Sequence, residues 1–492
     1  MLFNSLVFIL GFLPITLTGF YVLGSVLNRR WALVWLLVAS LVFYAWWNPA
    51  YIYLIIGSIL FNHIVALGLH RLNSSRRMPL LTLGVAGNLG LLGYYKYAHF
   101  ATHVFHSATG MGVEIDKIIL PLGISFFTFT QIVYLVDAYR STVPAYRLRD
   151  YALFVSYFPH LIAGPIVHHW QLLPQFKESK AQFRWEYLAV GLTAFAWGLV
   201  EKTLIADNAA PVADRVFGSA SLGYHPSFFQ AWAGVIAYSV QIFFDFSGYS
   251  NMALGLSKMF GIKLPINFNS PYKSTSIIDF WRRWHITLSE FLRVYLYFPL
   301  GGNRKGKARR YVNLFTTMLL GGLWHGAGWT FIFWGGLHGA YLTVNHAWRD
   351  WIKASGRIKE ASGLTQLLGG ALTFVAVLAA WVFFRADTFA TAGRMLTGMA
   401  GIRRHNMAAA MPVHITLYEL LIVCASLALA WLTPNMQQWM ADGNPALETE
   451  DVVPVRRWRP EPIYALVVGV LLFISIKTFF ASEPSPFLYF NF

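Results

Sequence analysis

Long apolar runs separated by short polar turns dominate the chain. A membrane crossing needs about 20 such residues to span roughly 30 Å of hydrocarbon. Runs of this kind fall at roughly 5–26, 31–47, 50–69, 79–98, 118–137, 150–167 and 186–205, and near 226–247, 314–348, 367–384, 414–433 and 461–481. Pro121 and Gly123 interrupt the 118–137 run, so it reads as broken or re-entrant. The pattern predicts an all-α polytopic membrane protein with about 11 transmembrane helices plus re-entrant or interfacial ones. The first run lacks a basic leader and reads as a retained span rather than a signal peptide. The polar stretches 169–185, 257–313, 349–363 and 434–460 are too short for a soluble domain, so 1–492 reads as one transmembrane domain. The last stretch, with Glu448, Glu450, Asp451, Arg456, Arg457 and Arg459, reads as a loop.

Composition agrees with the pattern. Charged residues make up 12% of the 492 residues, apolar ones 56% and aromatic ones 17%, whereas ordinary soluble chains carry about 25% charge. Soluble, disordered, collagen-like and disulfide-rich classes are thereby excluded. The single cysteine, Cys424, lies in an apolar run. It can form neither an intrachain disulfide nor a thiolate metal site, and a thiol in that setting stays inert, which argues against an acyl-cysteine intermediate.

The charges that remain are 38 Lys plus Arg against 22 Asp plus Glu, a net +16. In a soluble chain this balance would suggest nucleic acid. Here the accumulation of Lys and Arg in cytoplasmic loops is the first explanation, and no nucleic-acid partner is expected. Met1 to Asn4 carries no Lys or Arg, the next turn has Arg29 and Arg30, Trp47 to Pro49 has none, and the turn after has Arg71, Arg76 and Arg77. This alternation places the N-terminus outside, on the periplasmic side in a bacterium.

The excess is concentrated. Eleven basic residues fall within 258–310, with Asp279 and Glu290 as the only acids there. Two readings stand side by side: a cytoplasmic loop obeying the inside-positive bias, or a mouth that attracts a polyanionic cytosolic ligand. Inside this basic cytoplasmic-side region, 257–313, residues 277–296 have helical periodicity. Ile277, Ile278, Phe280, Trp281, Trp284, Leu288, Phe291, Leu292 and Tyr295 share one arc, and Asp279, Arg282, Arg283, Thr287, Glu290 and Arg293 the other. The spacing predicts an amphipathic helix, with Asp279 and Arg283 paired at i,i+4. His285 falls inside the apolar arc, as a hydrogen-bonded core residue or as a functional one.

Residues 314–348 contain no Lys, Arg, Asp or Glu. As one helix they would extend about 52 Å, well beyond a bilayer. Gly321, Gly322, Gly326 and Gly328 mark where the run breaks, and His325 lies in the break, about 16 Å of helix from Leu314. An ionisable side chain at mid-membrane is a functional candidate; the alternative is a histidine joining two half-helices. His160, His338 and His346 also lie in apolar segments, with close packing the expected role of His338. On a helix, the adjacent His168 and His169 would point about 100° apart. No HExxH or Cys/His spacing is present, so no metal is expected.

Several motifs in order now carry a resemblance. They are Pro121-Leu122-Gly123-Ile124-Ser125-Phe126, Ala163-Gly164-Pro165, Phe244-Asp245-Phe246-Ser247-Gly248-Tyr249-Ser250, Phe280-Trp281-Arg282-Arg283-Trp284-His285, Leu300-Gly301-Gly302-Asn303-Arg304 and Leu320-Gly321-Gly322-Leu323-Trp324-His325-Gly326-Ala327. The chain resembles the membrane-bound O-acyltransferase (MBOAT) family, in particular its bacterial alginate O-acetyltransferase branch. The resemblance implies helices around a central catalytic funnel, with His325 catalytic and His285 the second polar group of the site. It implies donor or substrate contacts at Trp324, Arg282, Arg283, Trp284, Asn269, Tyr272 and Asp245. It also implies a multi-pass protein of the bacterial inner membrane, an acetyl-CoA or other acyl-thioester donor with no bound cofactor, a polysaccharide acceptor and periplasmic acetyltransferase partner proteins. D-alanyl or peptidoglycan O-acyl transfer is the alternative within this class. A polytopic transporter is the alternative outside it, and intramembrane carboxylate pairs for ion coupling are missing, with Asp137 and Asp245 the only good candidates.

Overall fold

The computed structural model describes residues 1–112, 115–116, 118–178, 181–356, 362–402, 411–447, 458–481, 485 and 487–488. All of its described elements are helical. Five described helices are long and apolar enough to cross a membrane: Val7–Val26, Pro49–Arg71, Trp185–Ser221, Gly363–Arg385 and Pro462–Phe480. Ile124–Tyr139 and Leu417–Leu432 are shorter apolar helices. The expected loop charges from Glu448 to Arg457 lie outside the described residues.

The chain divides into two compact units. The first takes Met1–Leu199, Tyr249–Ile266 and Trp439–Phe490; the second takes Val200–Gly248, Asn267–Gln438 and Asn491–Phe492. In the first unit, local capping decides where helices start. The Asn28 side chain accepts from Arg30 N at 2.9 Å to open Arg29–Ala45, and Asn48 accepts from Ala50 N at 3.0 Å after the next turn. Gly123, at φ 71, opens Ile124–Tyr139. A Cβ there would lie 2.8 Å from Leu161 O, so the position demands glycine twice over. Arg77 Nη2 closes the far end of that helix, donating to Ala138 O at 2.9 Å and Tyr139 O at 2.6 Å.

The apolar run 150–167 does not form a span. It holds two short helices, Leu148–Ser156 and Phe158–Leu161, followed by irregular backbone. Pro159 and the Gly164-Pro165 pair prevent a continuous helix. Residues 153–169 are buried throughout, so this apolarity answers to protein packing, where irregular backbone is tolerated.

In the second unit, Gly306–His325 packs along Trp329–Ala354. A Cβ on Gly322 would run into Phe331 O, and one on Gly335 into Met318 O. These glycines let the two backbones approach as small residues do between membrane helices. The unit also buries an ion cluster. Lys202 Nζ lies 2.6 Å from Asp245 Oδ1 and 2.8 Å from Asp207 Oδ1, and Ser247 Oγ donates to Glu201 Oε2 at 2.9 Å.

Candidate active site

His325 is the last residue of helix Gly306–His325. Gly326 and Gly328 are extended, and between them the chain turns tightly, with Gly328 N donating to Gly326 O at 3.0 Å, before helix Trp329–Ala354 begins. The glycine break thus falls at 326–328, while Gly321 and Gly322 remain helical. The Phe331 ring rests where a side chain on Gly326 would stand, which fixes the turn directly after the histidine. His325 is 3% exposed. Its ring centroid is 4.9 Å from Trp324, 5.1 Å from Trp334 and 5.3 Å from Phe384.

The predicted continuous helix over 277–296 is corrected. Helix Ile277–Arg283 ends at Trp284, and Ile286–Leu292 begins after His285, which adopts the left-handed conformation (φ 43, ψ 54). A π-helical turn, Arg293–Tyr297, follows. A non-glycine residue held left-handed is uncommon and costs energy, so surrounding contacts must fix it. They come from the non-helical segment 267–269. Ile286 N donates to Asn267 O and Asn269 N to Arg283 O, each at 2.9 Å. The expected Asp279–Arg283 pair is present at 2.9 Å.

His285 is fully buried. Its Nδ1 lies 3.1 Å from Asn267 Oδ1, which also accepts from Thr287 Oγ1 at 3.0 Å and Thr287 N at 3.4 Å. The backbone donor identifies this Asn267 atom as the carbonyl oxygen, so the His285 proton sits on Nδ1 and Nε2 carries the lone pair. Burial pushes the imidazole down to about 3, far below the ordinary histidine range, so it is neutral. The imidazole centroids of His285 and His325 are 6.3 Å apart, at an interplanar angle of 61°.

The remaining predicted residues divide by location. Trp324 is near both histidines, 4.9 Å from His325 and 6.2 Å from His285. Trp284 packs 5.0 Å from Trp381 and 5.1 Å from Phe268. Tyr272 is buried, with its hydroxyl donating to Ser239 O at 2.6 Å, and Asn269 Oδ1 accepts from Asn435 Nδ2 at 2.9 Å. Arg282 is exposed, and Arg283 is held by Asp279. The Asp245 carboxylate is engaged by Lys202.

The basic stretch also divides. Arg310 is paired with Asp350 at 2.7 Å, and Lys273 Nζ donates to Thr433 O at 2.7 Å. Arg304, Lys305, Lys307 and Arg309 are exposed where the 20-residue helix Gly306–His325 begins, about 30 Å along its axis from His325.

Sequence reasoning did not single out Asn267, Trp334, Trp381 or Phe384. Asn267 lies in a non-helical segment without periodicity; the only signal was an amide in an apolar context. His338 fulfils its expected packing role, fully buried and accepting from Trp281 Nε1 at its Nδ1, 3.2 Å away. His168 stacks on Trp170 at 4.1 Å, while His169 faces Asp137. No group of three or more His, Cys, Asp or Glu among the described residues is placed to hold a metal.

Comparison with known proteins bears on this arrangement. A model of the membrane-bound O-acyltransferase family matches residues 95–386. The chain is 45% identical to a peptidoglycan O-acetyltransferase of Helicobacter pylori, over 82% of this chain and 80% of that protein. It is 39% identical to a protein of Azotobacter vinelandii named probable alginate O-acetylase, over 100% of both chains. It is 28% identical to a teichoic acid D-alanyltransferase of Streptococcus thermophilus, over 54% of this chain and 68% of that one.

Proposed function

Since the chain belongs to the membrane-bound O-acyltransferase family and is therefore a multi-pass membrane O-acyltransferase, we propose that it moves an acetyl group from a cytosolic thioester, acetyl-CoA, toward hydroxyls of an extracytoplasmic polysaccharide. One observation carries the reading. His285 and His325, from two separate motifs, are brought within 6.3 Å of each other in a buried aromatic shell.

In the proposed reaction the acceptor oxygen attacks the thioester carbonyl, and neutral His325 takes the hydroxyl proton as general base. The new ester C–O bond forms as the C–S bond breaks, and the sulfur leaves as a thiol with a proton. His285 holds the donor. With its proton committed to Asn267, Nε2 accepts a hydrogen bond from the donor. Polarising the carbonyl would require a second proton, which burial opposes. The exposed cations at Arg304 to Arg309 take the anionic head of the donor, and about 30 Å of helix suits a donor whose reactive end is carried on a long arm.

The test uses purified protein in detergent with no ion gradient, radiolabelled acetyl-CoA and a hydroxyl-rich polysaccharide. Ester formation is expected, with an acetyl mass increment on the product. Alanyl ester from a carrier-bound donor would replace the acetyl reading with the D-alanyl one. Transfer that requires a gradient would favour a transporter.

We further propose about eleven crossings with a periplasmic N-terminus in the bacterial inner membrane, and periplasmic partner proteins that complete the transfer. Reporter fusions at residues 48 and 73 are expected to report periplasm and cytoplasm respectively. A periplasmic signal at 73 would reverse the topology.

A further inference from the structure

A polar cavity of about 410 Å³ lies within the first unit, lined by residues that take no part in the proposed reaction. Arg29, Arg30, Arg147, Arg149 and Lys177 line it, with Asp150 as the only acid among the described residues. Asp150 is already matched by Arg149 at 2.5 Å, so the cavity keeps four cations in excess. Its apolar floor includes the buried Leu33 and Phe176.

Two helix N-termini add to the positive field. Arg29–Ala45 opens at Arg29, and Leu148–Ser156 opens beside Arg147 without a side-chain cap. Tyr146, on the wall, is held from behind. Its hydroxyl is 3.2 Å from His169 Nδ1, and His169 Nε2 is 3.1 Å from Asp137 Oδ2. The carboxylate can only accept, so the imidazole proton sits on Nε2 and the Tyr146 hydroxyl donates to Nδ1. Lys177 Nζ lies 5.6 Å from the Tyr146 ring centroid, which tethers that cation at the rim.

We propose that this cavity binds a phosphate ester group. Several guanidinium forks around one concave space match the multiple oxygens and charge of a phosphoryl anion better than a single carboxylate. The source favoured is the headgroup of an anionic phospholipid. Arg29 stands three residues beyond the candidate span Val7–Val26, and the neighbouring Trp31 and Trp170 are 54% and 48% exposed, as aromatic side chains at headgroup depth are. A soluble diphosphate would offer the same chemistry. The site stands independently of the acyl-transfer reading.

The experiment measures the apparent unfolding midpoint of the full chain in phosphatidylcholine nanodiscs, with phosphatidylglycerol added in one arm and inorganic pyrophosphate titrated in the other. The midpoint is expected to rise with phosphatidylglycerol. Arg147→Gln and Lys177→Gln, both at exposed positions, should each weaken the response about tenfold in ligand concentration, while Lys353→Gln, at an exposed position outside the cavity, should keep it. A response to pyrophosphate that shows the same variant pattern would support the site with a soluble ligand. No rise in either arm, a rise that survives both cavity variants, or equal loss in Lys353→Gln would overturn the proposal.

Discussion

Replacing His325 with alanine is expected to take polysaccharide acylation to background, with membrane-inserted protein at the wild-type level. A positioned general base contributes a factor of about 10²–10⁴, and neither neighbouring imidazole is placed to take over its proton. His285 is 6.3 Å away between centroids, and burial opposes a second proton on it. His338 has its Nδ1 occupied by Trp281. Because His325 is packed against Trp324, Trp334 and Phe384, alanine also leaves a void. His325→Gln keeps the volume and should be equally inactive. If His325→Gln retained half of wild-type acylation, the base assignment would fail. His285→Ala should lower acylation by a smaller factor and raise the donor concentration needed for half-maximal rate, because the reading makes it a donor-holding group.

How much of this was legible in the sequence depends on the kind of signal. The place of His325 at a helix break was legible because 35 uncharged residues exceed a bilayer and glycines mark the interruption. The inward direction of His285 was legible from the apolar arc, but the break at His285 was not. One left-handed residue leaves the apolar positions on both flanking helices pointing inward, so periodicity reads through it. Asn267 was invisible, since a non-helical segment held by backbone hydrogen bonds to Arg283 and Ile286 has no helical period. The run 150–167 misled for another reason: hydropathy measures aversion to water and cannot distinguish a lipid-facing span from a segment buried in protein. The pairing of Asp245 with Lys202 was equally hidden. The sequence offered Asp245 as a donor contact or an ion-coupling carboxylate, and nothing local names a partner 43 residues upstream.

That pair supports the second large expectation: Lys202→Met should destabilise the protein by about 3–5 kcal/mol. Lys202 and Asp245 side chains are 6% and 3% exposed, and one ammonium serves both Asp245 and Asp207. Removing the lysine leaves the Asp245 carboxylate buried without its cation, and the desolvation cost already incurred is no longer offset. Asp245→Leu should cost less, because Lys202 keeps Asp207, whose side chain is 29% exposed and can share solvent with it. Lys202→Met combined with Asp245→Leu removes both buried charges and should recover much of the loss, since a well-packed apolar pair often equals a buried ion pair in stability. Apparent unfolding midpoints in detergent for the two single variants and the double variant give the test as a cycle. If the double variant were as unstable as the sum of the singles, the two residues would be uncoupled. If instead its stability returned but acylation stayed at background, Asp245 would touch the reaction as well as the lysine, and the donor contact implied by its motif would stand alongside the ion pair.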